Sequence, residues 1–283
     1  MDTVTTADEL RRMVRDWRRQ DNRVAFVPTM GNLHAGHLQL VQHAHTIADR
    51  VVVSIFVNPT QFGPNEDYAS YPRTPEEDAR ALMDADTDLL FLPAVEEIYP
   101  PDLAAAPYVE VPEIDSILCG EFRPGHFTGV ATVVAKLFNL VQPDVAVFGE
   151  KDYQQLIVIR RMTRALCLPV AVEGMATVRE DSGLAMSSRN RYLSEAERNI
   201  AATLYRVLCE VRDRVEGGAS NYHLLEAAAV AELEQAGFRP EYVSIRSADD
   251  LAEPRPGDAR LRVLAAAWLG QARLIDNIAI SVG

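Results

Sequence analysis

The segment from Val51 to Val57 constrains the fold more than any other, because six of its seven residues are apolar. A continuous apolar run of this length is typical of a strand that is buried on both faces. We predict strands at residues 23–27, 51–57, 88–92, 144–148 and 170–172, and helices at residues 35–47, 75–85, 128–141 and 153–166. Strands and helices in this alternation predict a parallel sheet with helices on both faces.

The pattern changes near residue 177, where the regular alternation of strands and helices stops. A long amphipathic helix is predicted over residues 193–215, and it opens with a capping box formed by Ser194 and Glu197. We predict a second helix that ends at residue 236, and short strands at residues 242–246, 262–267 and 274–278. The predicted fold class is therefore α/β: a Rossmann-type doubly wound parallel sheet over residues 1–176, with a smaller C-terminal α+β domain over residues 177–283.

The charge balance argues against two classes of partner. The chain has 28 basic and 41 acidic side chains, which give a net charge of −13 and an isoelectric point near 4.9. Nucleic acids and anionic membranes both attract positive charge, so neither is a predicted partner. No apolar run reaches the roughly 20 residues of a membrane helix, and residues 1–21 are too charged for a signal peptide. Three cysteines without metal-like spacing favour a soluble cytoplasmic protein with reduced thiols.

The segment from Pro28 to His37 carries the first candidate site. Gly31 permits a tight turn after the first strand, and a helix is expected to begin near Ala35. The N-terminus of such a helix attracts anions, because its free N–H groups and its dipole both favour negative charge. His34 and His37 are expected on one face there, as donors to phosphate oxygens. A zinc pair or two core histidines are the alternatives, although no convincing third zinc ligand is evident.

Two further loops carry polar side chains that suit a small substrate. Gln61 follows the buried strand, where ligands of parallel sheets bind, and its neutral amide can hold a hydroxyl or a carboxylate. The Asn-Pro turn at residues 58–59 explains the same loop without a ligand. Arg123 and His126 flank a Pro-Gly turn before the next helix. Contact with the site and a role in packing or gating are both open for these two residues.

Phosphate-binding groups are also predicted just after the strand at residues 144–148. Gly149 lets a ligand approach the main chain closely, and Lys151, one of only two lysines in the chain, supplies a compact cation. Asp152 can accept a hydrogen bond from a ribose hydroxyl or help to hold magnesium. Gln155 is expected on the helix face next to Lys151. A charged, solvent-exposed helix start is the alternative for this segment.

The loop from Met186 to Arg191 combines two serines with two arginines. Hydroxyl and guanidinium groups side by side form an anion-binding surface, although such loops also occur on plain surfaces. The loop falls at the predicted domain boundary, where a mobile lid is expected. The loop is therefore a candidate anion-binding site at a place where a lid is expected.

These five segments, in this order and spacing, resemble the pantothenate synthetase (pantoate–β-alanine ligase) family of the nucleotidylyltransferase-like superfamily. The H-x-G-H sequence at residues 34–37 alone indicates the superfamily. The segments that make the resemblance specific to the family lie at residues 58–63, 123–129, 149–156 and 186–191. The resemblance implies an enzyme that uses ATP to adenylate (R)-pantoate, releases pyrophosphate, and transfers the pantoyl group to β-alanine to give pantothenate and AMP. It further implies a homodimer, a lid-like C-terminal domain and a requirement for Mg²⁺, whose protein ligands are unassigned.

The resemblance also implies roles for particular residues. His37, His34 and Lys151 become the catalytic residues, acting as donors that stabilise the transition state. Gln61 and Gln155 become the residues that bind the substrates pantoate and β-alanine. The residues implied in ATP binding are Met30, Gly31, Asn32, Leu33, His34, Ala35, Gly36, His37, Gly149, Glu150, Lys151, Asp152, Val178, Met186, Ser187, Ser188 and Arg189.

Two other functions fit parts of the sequence. Another H-x-G-H nucleotidylyltransferase would share His34 and His37, but it would need cations for a phosphorylated acceptor where this chain has Gln61 and Gln155. A tRNA-synthetase-like RNA-binding protein would share the ATP pocket, and the acidic charge balance opposes it. Formation of AMP that depends on both pantoate and β-alanine separates the ligase from the first alternative, and retention of tRNA at physiological salt would support the second.

Overall fold

The computed structural model describes residues 1–64, 66–103 and 106–282. Six strands of these residues form a parallel sheet in the order β1-β4-β3-β2-β5-β6. The strands are β1 (Asp2–Val4), β2 (Val24–Thr29), β3 (Arg50–Ile55), β4 (Leu89–Phe91), β5 (Val145–Gly149) and β6 (Ala171–Met175). Strand β2 pairs with β3 on one side and with β5 on the other. The strand order therefore reverses at β2, and such a reversal opens a crevice for ligands at the carboxyl ends of the strands.

Helices cover both faces of this sheet. They are α1 (Ala7–Arg18), α2 (Ala35–Ile47), α3 (Pro75–Asp84), α4 (Val95–Ile98), α5 (Cys119–Phe122), α6 (His126–Val141) and α7 (Tyr153–Ala165). In β2, Val24 and Phe26 point into a first core that includes side chains of α1, α6 and α7. Ala25 and Val27 point into a second core, formed with α2 and α3. The strand is thus buried on both faces, as is typical of a central strand in a parallel sheet.

The chain after residue 177 forms a smaller part with its own sheet. Its elements are α8 (Glu195–Ala201), α9 (Thr203–Glu216), α10 (Tyr222–Gln235), β7 (Arg239–Ser247), β8 (Arg260–Leu269) and β9 (Ala272–Ser281). The three strands are antiparallel in the order β7-β8-β9, and their inner face packs on side chains of α9 and α10. Leu251 and Leu264 pack into the first core of the parallel sheet instead. The two parts of the chain therefore share an apolar contact.

The predicted fold class is confirmed by these two sheets, and helix α2 has the bounds that its sequence predicts. Strand β1 was not predicted, because its three residues are held by pairing with β4 and carry no pattern of their own. The single helix predicted over residues 193–215 is wrong, since α8 and α9 are separate helices. Ala202 between them keeps helical dihedrals, with φ −61° and ψ −21°. The break is therefore a local irregularity in one helical path rather than a turn.

The capping box at the start of α8 is confirmed. The main-chain N–H of Glu197 donates to Ser194 Oγ at 3.3 Å, and the main-chain N–H of Ser194 donates to Glu197 Oε2 at 2.8 Å. Within the parts of the chain that the structure describes, none of the helices combines the length and the apolar content needed for a membrane crossing.

Candidate active site

Two adjoining cavities open at the carboxyl ends of the parallel strands. The inner cavity has a volume of about 220 Å³ and is lined by both predicted histidines. The outer cleft has a volume of about 460 Å³ and lies between the parallel sheet and the C-terminal sheet. Residues that line both are Lys151, Asp152, Gln155, Ser187 and Arg189. The two spaces are therefore joined along the predicted phosphate-binding segments.

Most of the predicted site residues meet at the inner cavity. Gln61 and Gln155 line it. The predicted ATP-binding residues that line it are Met30, His34, Gly36, His37, Gly149, Lys151, Asp152, Val178, Met186, Ser187, Ser188 and Arg189. The predicted ATP-binding residues that are not among its lining residues are Gly31, Asn32, Leu33, Ala35 and Glu150. The sequence segments are thus brought together as predicted, but not every residue of each segment faces this space.

An internal carboxylate explains why part of the first segment lies away from the inner cavity. The main-chain N–H groups of Asn32 and Leu33 both donate to the Asp78 carboxylate at 2.8 Å. Asp78 comes from helix α3 and is only 3% exposed. Gly31 has a φ of +80°, and a Cβ added to it would lie 2.9 Å from Cγ2 of Ile55. The negative charge expected at this turn is therefore supplied, at these two N–H groups, by the protein itself.

The two histidines form a close pair at the start of α2, with their ring planes tilted by 38° to each other. His34 is the N-cap of the helix, and the centres of the His34 and His37 rings are 4.0 Å apart. The main-chain N–H of His34 donates to Nδ1 of His37 at 3.3 Å. Nδ1 of the neutral His37 ring is therefore the acceptor, and the ring proton is on Nε2. This arrangement leaves His37 with one N–H group to donate to a ligand.

Burial keeps both imidazoles uncharged at neutral pH. Burial and the neighbouring His34 lower the pKa of His37 to about 3. Burial and the nearby Lys151 ammonium lower the pKa of His34 to about 4. Within the described residues, Nδ1 of His34 is buried without a hydrogen-bond partner. Two neutral rings with unused polar atoms at a cavity wall fit a bound ligand better than the alternative of a packed core pair.

The zinc alternative finds no support in the part of the chain that the structure describes. No group of three or more His, Cys, Asp or Glu side chains there lies close enough to hold a metal ion. His34 and His37 therefore lack the third and fourth ligands that a zinc site needs.

Gln61 is held by an asparagine that sequence reasoning did not single out. Asn58 Nδ2 donates to Gln61 Oε1 and to the Gly129 carbonyl, both at 3.1 Å. Asn58 is 1% exposed, and its neighbour Pro59 starts a 3₁₀ turn that ends at Gln61. Helix α6 approaches this turn closely at Gly129, where an added Cβ would lie 2.6 Å from the Thr60 carbonyl carbon. The Asn-Pro turn thus has a structural role and a place at the site.

Arg123 and His126 hold the main chain of Gln61. Arg123 binds Glu66 through Nε and Nη2 at 2.7 and 2.6 Å, and its Nη1 donates to Nε2 of His126 at 3.0 Å. A guanidinium can only donate, so Nε2 of His126 is the acceptor and Nδ1 carries the proton. Nδ1 then donates to the Gln61 carbonyl at 2.8 Å. Both residues line the outer cleft, and their contacts here are those of packing and positioning.

Acid is expected to destabilise the fold through His126 and His37. Burial and Arg123 lower the pKa of His126 to about 3, well below the value of about 6.5 in an unfolded chain. Above pH 6.5 neither the folded nor the unfolded state binds the proton. Between pH 6.5 and about pH 3 only the unfolded state binds it. Stability should therefore fall by about 1.4 kcal/mol per pH unit for each ring as the pH drops from 6.5 towards 3.

Urea unfolding of His126→Gln at pH 4, 5, 6 and 7 tests this expectation. Glutamine keeps a donor and an acceptor but does not titrate, so the slope of unfolding free energy against pH should be smaller by about 1.4 kcal/mol per unit. His223→Gln is the matched control, because the His223 side chain is 88% exposed. Equal slopes in the parent and in His126→Gln would contradict the low pKa.

Lys151 lies where the inner cavity and the outer cleft meet. It is in a 3₁₀ turn, Glu150–Asp152, that connects β5 directly to α7. Its side chain is 18% exposed, and Nζ lies 3.7 Å from Asp152 Oδ2. Gln155 follows on the first turn of α7 and lines both spaces with Lys151. The segment is therefore a partly enclosed cationic site and not a plain solvated helix start.

The loop from Met186 to Arg191 reaches across the inner cavity to the first segment. Ser188 Oγ donates to the Asn32 carbonyl at 3.0 Å, and Arg191 Nη1 donates to Asn32 Oδ1. Arg189 forms an ion pair with Asp67 at 3.2 Å. Ser187, Ser188 and Arg189 line the inner cavity, as predicted, whereas Arg191 lines a groove behind the loop.

The site combines neutral donors, one lysine and a serine–arginine loop around a cavity at the point where the strand order reverses. Fold and cavity together define an α/β enzyme that acts on a ligand with phosphate groups. Comparison with known proteins then identifies the family to which this enzyme belongs.

The family model for Pantoate-beta-alanine ligase matches residues 2–279. The chain is 56% identical over 282 residues to the pantothenate synthetase of Methylococcus capsulatus. The aligned region covers 100% of this chain and 99% of the relative. It is similar to the crystal structure of pantothenate synthetase from Thermus thermophilus, with a TM-score of 0.89 and 48% identity over 98% of this chain and 99% of that one. A pantoate–β-alanine ligase from Francisella tularensis, solved with Beta-gamma ATP and β-alanine, gives a TM-score of 0.82 and 33% identity over 98% and 97%.

The chain therefore belongs to the pantoate–β-alanine ligase family. It is a ligase that forms pantothenate, and both the family and the enzyme class predicted from the five sequence segments are confirmed.

Proposed function

We propose that the inner cavity is where ATP reacts with the carboxylate of (R)-pantoate. A carboxylate oxygen attacks the α-phosphorus, the bond from that phosphorus to the bridging oxygen breaks, and pyrophosphate leaves with the electron pair. The observation that carries the proposal is that two neutral imidazoles, His34 and His37, line the same cavity as Lys151. A carboxylate is a poor acceptor for amines, and adenylation converts one of its oxygens into a good leaving group.

The catalytic residues act by charge stabilisation. Negative charge grows on the oxygens of the departing pyrophosphate, and donors fixed in a partly enclosed cavity stabilise it without rearranging. His37 donates through Nε2–H, since its Nδ1 already accepts a main-chain hydrogen bond. Lys151 supplies a full positive charge on the same phosphates. No covalent intermediate with the protein is needed, because positioning and electrostatics lower the barrier.

The remaining ATP contacts come from the segments that line the inner cavity. Met30, Gly36, Gly149 and Val178 contact the nucleotide, and Asp152 accepts from a ribose hydroxyl or faces the phosphates. Ser187, Ser188 and Arg189 bind the phosphates when the loop closes, and Arg189 then exchanges its ion pair with Asp67 for the ligand. The predicted contacts of Gly31, Asn32, Leu33, Ala35 and Glu150 are the weaker part of this proposal, since none of them is among the residues lining this cavity.

Gln61 and Gln155 hold pantoate from two sides of the inner cavity. Both side chains are neutral and line that cavity, and they suit the hydroxyl groups and the carboxylate of this substrate. Gln155 also lines the outer cleft, through which β-alanine reaches the acyl-adenylate. The amine then attacks the carbonyl carbon, AMP leaves, and the amine loses a proton to give the amide. The Francisella tularensis ligase was solved with Beta-gamma ATP and β-alanine, which supports these two molecules as substrates.

Magnesium fits the site through a single protein carboxylate. Asp152 lines both spaces with a side chain that is 47% exposed. Magnesium is commonly held by one or two carboxylates together with phosphate oxygens and water. We assign Asp152 as its protein ligand; when bound, the ion adds positive charge at the phosphates.

The division into residues 1–176 and 177–283 belongs to the same proposal, in which the second part carries the lid as its loop of residues 186–191. So do a homodimer and a cytoplasmic location. The change of sheet type after β6 supports the division. Sedimentation equilibrium should give about twice the chain mass of 31.3 kDa, and a single-chain mass would contradict the dimer.

The exchange of labelled pyrophosphate into ATP tests the proposed first step. With (R)-pantoate and Mg²⁺ present and β-alanine absent, exchange should occur, because adenylation is reversible and needs no amine. Addition of β-alanine should then produce AMP and pantothenate in equal amounts. Exchange that requires β-alanine, or that proceeds without pantoate, would contradict the proposed reaction order.

A further inference from the structure

Two adjacent side chains on β9 connect the C-terminal sheet to both phosphate-binding segments. They are Asp276 and Asn277, which are 3% and 4% exposed. They lie on the C-terminal sheet. Across the outer cleft, this sheet faces the turn of residues 150–152 that carries Lys151, called the Lys151 turn below.

Asn277 fastens the main chain of the turn that carries Lys151. Its Nδ2 donates to the carbonyl oxygens of Glu150 and Lys151, each at 2.9 Å. Its Oδ1 accepts from Nη1 of Arg262. A guanidinium only donates and a carbonyl only accepts, so the contacts fix which end of the amide faces which group. Both amide hydrogens are therefore spent on the Lys151 turn.

Arg262 holds the same turn by its side chain. Its Nη2 donates to the Glu150 carboxylate at 3.0 Å, and its guanidinium lies 3.6 Å from the centre of the Tyr153 ring. Arg262 is 7% exposed. Glu150 is thus bound through its carbonyl by β9 and through its carboxylate by β8, which explains why it faces away from the inner cavity.

Asp276 fastens the base of the serine–arginine loop. Its carboxylate accepts from Nη1 and Nη2 of Arg179 at 2.6 and 2.9 Å. Arg179 forms a bridge with Ala185, the residue just before the loop that starts at Met186. The main-chain N–H of Asn277 donates to the same Asp276 carboxylate at 2.7 Å. Asp276 and Asn277 are therefore linked through the Asn277 main chain, and the side chain of each contacts one of the two segments.

We propose that Asp276 and Asn277 are positioning residues that set the distance between Lys151 and the loop of residues 186–191, so that both reach the same phosphate chain. The inference rests on the proposed role of Lys151 in adenylation. Both residues line the outer cleft, and their side chains are bound to Arg179, Arg262 and the carbonyls of the Lys151 turn. Their effect is on placement, and a displacement of about 1 Å at a catalytic group lowers a rate by about 100-fold.

Asn277→Asp is the sharpest variant, because aspartate has the same shape and still offers an acceptor to Arg262. It replaces the amide donor with an oxygen that repels the carbonyls of Glu150 and Lys151. Pantoate-dependent ATP–pyrophosphate exchange should fall by about 10- to 100-fold. Transfer to β-alanine from synthetic pantoyl adenylate should stay within about 2-fold of the parent, because Lys151 acts on phosphates that the adenylate has lost. A merely structural role would slow both steps together.

Asp276→Asn tests the second of the two contacts. It keeps the shape and removes the charge that holds Arg179, so exchange should again fall selectively, with a higher KM for ATP. Tyr153→Phe is the matched control: it removes the 2.8 Å hydrogen bond from the Tyr153 hydroxyl to the Ala248 carbonyl, also between the two parts of the chain, and keeps the ring that packs on Arg262. Exchange in this control should match the parent.

A double-mutant cycle with Lys151→Ala separates positioning from general stability. Asn277→Asp should cost little further exchange activity once the lysine is gone, since the two changes remove the same interaction. Three outcomes would overturn this inference and leave the proposed role of Lys151 intact. They are fully additive losses, equal slowing of both steps, and a parental exchange rate in Asn277→Asp when the rate in Lys151→Ala is low. Parental exchange in Lys151→Ala itself would overturn the proposed role of the lysine and this inference with it.

Discussion

Replacing His37 with asparagine is expected to lower the rate of pantoate-dependent ATP–pyrophosphate exchange by about 100- to 1,000-fold, the scale for loss of one transition-state donor. Asparagine Oδ1 can still accept the main-chain N–H of His34, which goes to Nδ1 of His37 in the parent. What asparagine lacks is a donor at the position of Nε2. The substitution therefore removes the proposed catalytic group and keeps the local fold.

His37→Gln is the matched variant, because its longer side chain brings an amide N–H near the position of Nε2. It should recover part of the rate that asparagine loses. His43→Ala, on the same helix and outside the cavity, controls for loss of an imidazole from α2. Thermal unfolding of all three variants identifies any loss of structure. Parental exchange in a folded His37→Asn would refute the donor role.

Gly129→Ala is expected to have the largest effect of any single methyl group on this site. The added Cβ would lie 2.6 Å from the Thr60 carbonyl carbon and 2.8 Å from the Gln61 nitrogen. These are main-chain atoms, so no side chain can rotate away to relieve the clash. We expect a loss of about 1–3 kcal/mol in the free energy of unfolding. Displacement of the Pro59–Gln61 turn should also slow adenylation by about 100-fold.

Urea unfolding and the exchange assay measure the two effects of Gly129→Ala separately. For stability alone, Gly149→Ala is the control, since Gly149 has an ordinary φ of −77° and no atom within 4 Å of an added Cβ. Its free energy of unfolding should stay within about 0.5 kcal/mol of the parent. Parental stability and a parental exchange rate in Gly129→Ala would contradict the prediction. They would show that α6 can move away from the turn without loss of free energy.

Local sequence patterns predicted the elements that position the site. Helix α2 has its predicted bounds, because the residues around His34 carry turn signals as well as an apolar repeat. Strand β3 was evident from its apolar residues, since burial on both faces leaves no polar alternation. The histidines and Lys151 meet because strand ends of a parallel sheet lie at one edge, whereas the position of the serine–arginine loop beside them was implied by the family resemblance alone.

Contacts between distant segments could not be predicted in the same way. Asp78 binds Asn32 across 46 residues of chain, and Asn277 binds Lys151 across 126. Neither side chain belongs to a local pattern, because an isolated Asp on a helix or Asn on a strand has many possible partners. The capture of the Asn32 and Leu33 N–H groups by Asp78 is the clearest example. The sequence predicts an anion at the start of α2, but it did not indicate that an internal carboxylate binds the N–H groups of the turn before that helix.

The apolar contact shared by the two parts of the chain limits how the enzyme can enclose ATP. Swinging the whole C-terminal part outwards would bring Leu251 and Leu264 into water, at a cost of about 1.5–3 kcal/mol for each. The loop of residues 186–191 is held at the cavity by polar contacts such as that of Ser188, which water can replace at little cost. Opening and closing are therefore expected to be motions of this loop hinged on a rigid frame. The rate of product release would then depend on a few exchangeable hydrogen bonds rather than on separation of the two parts.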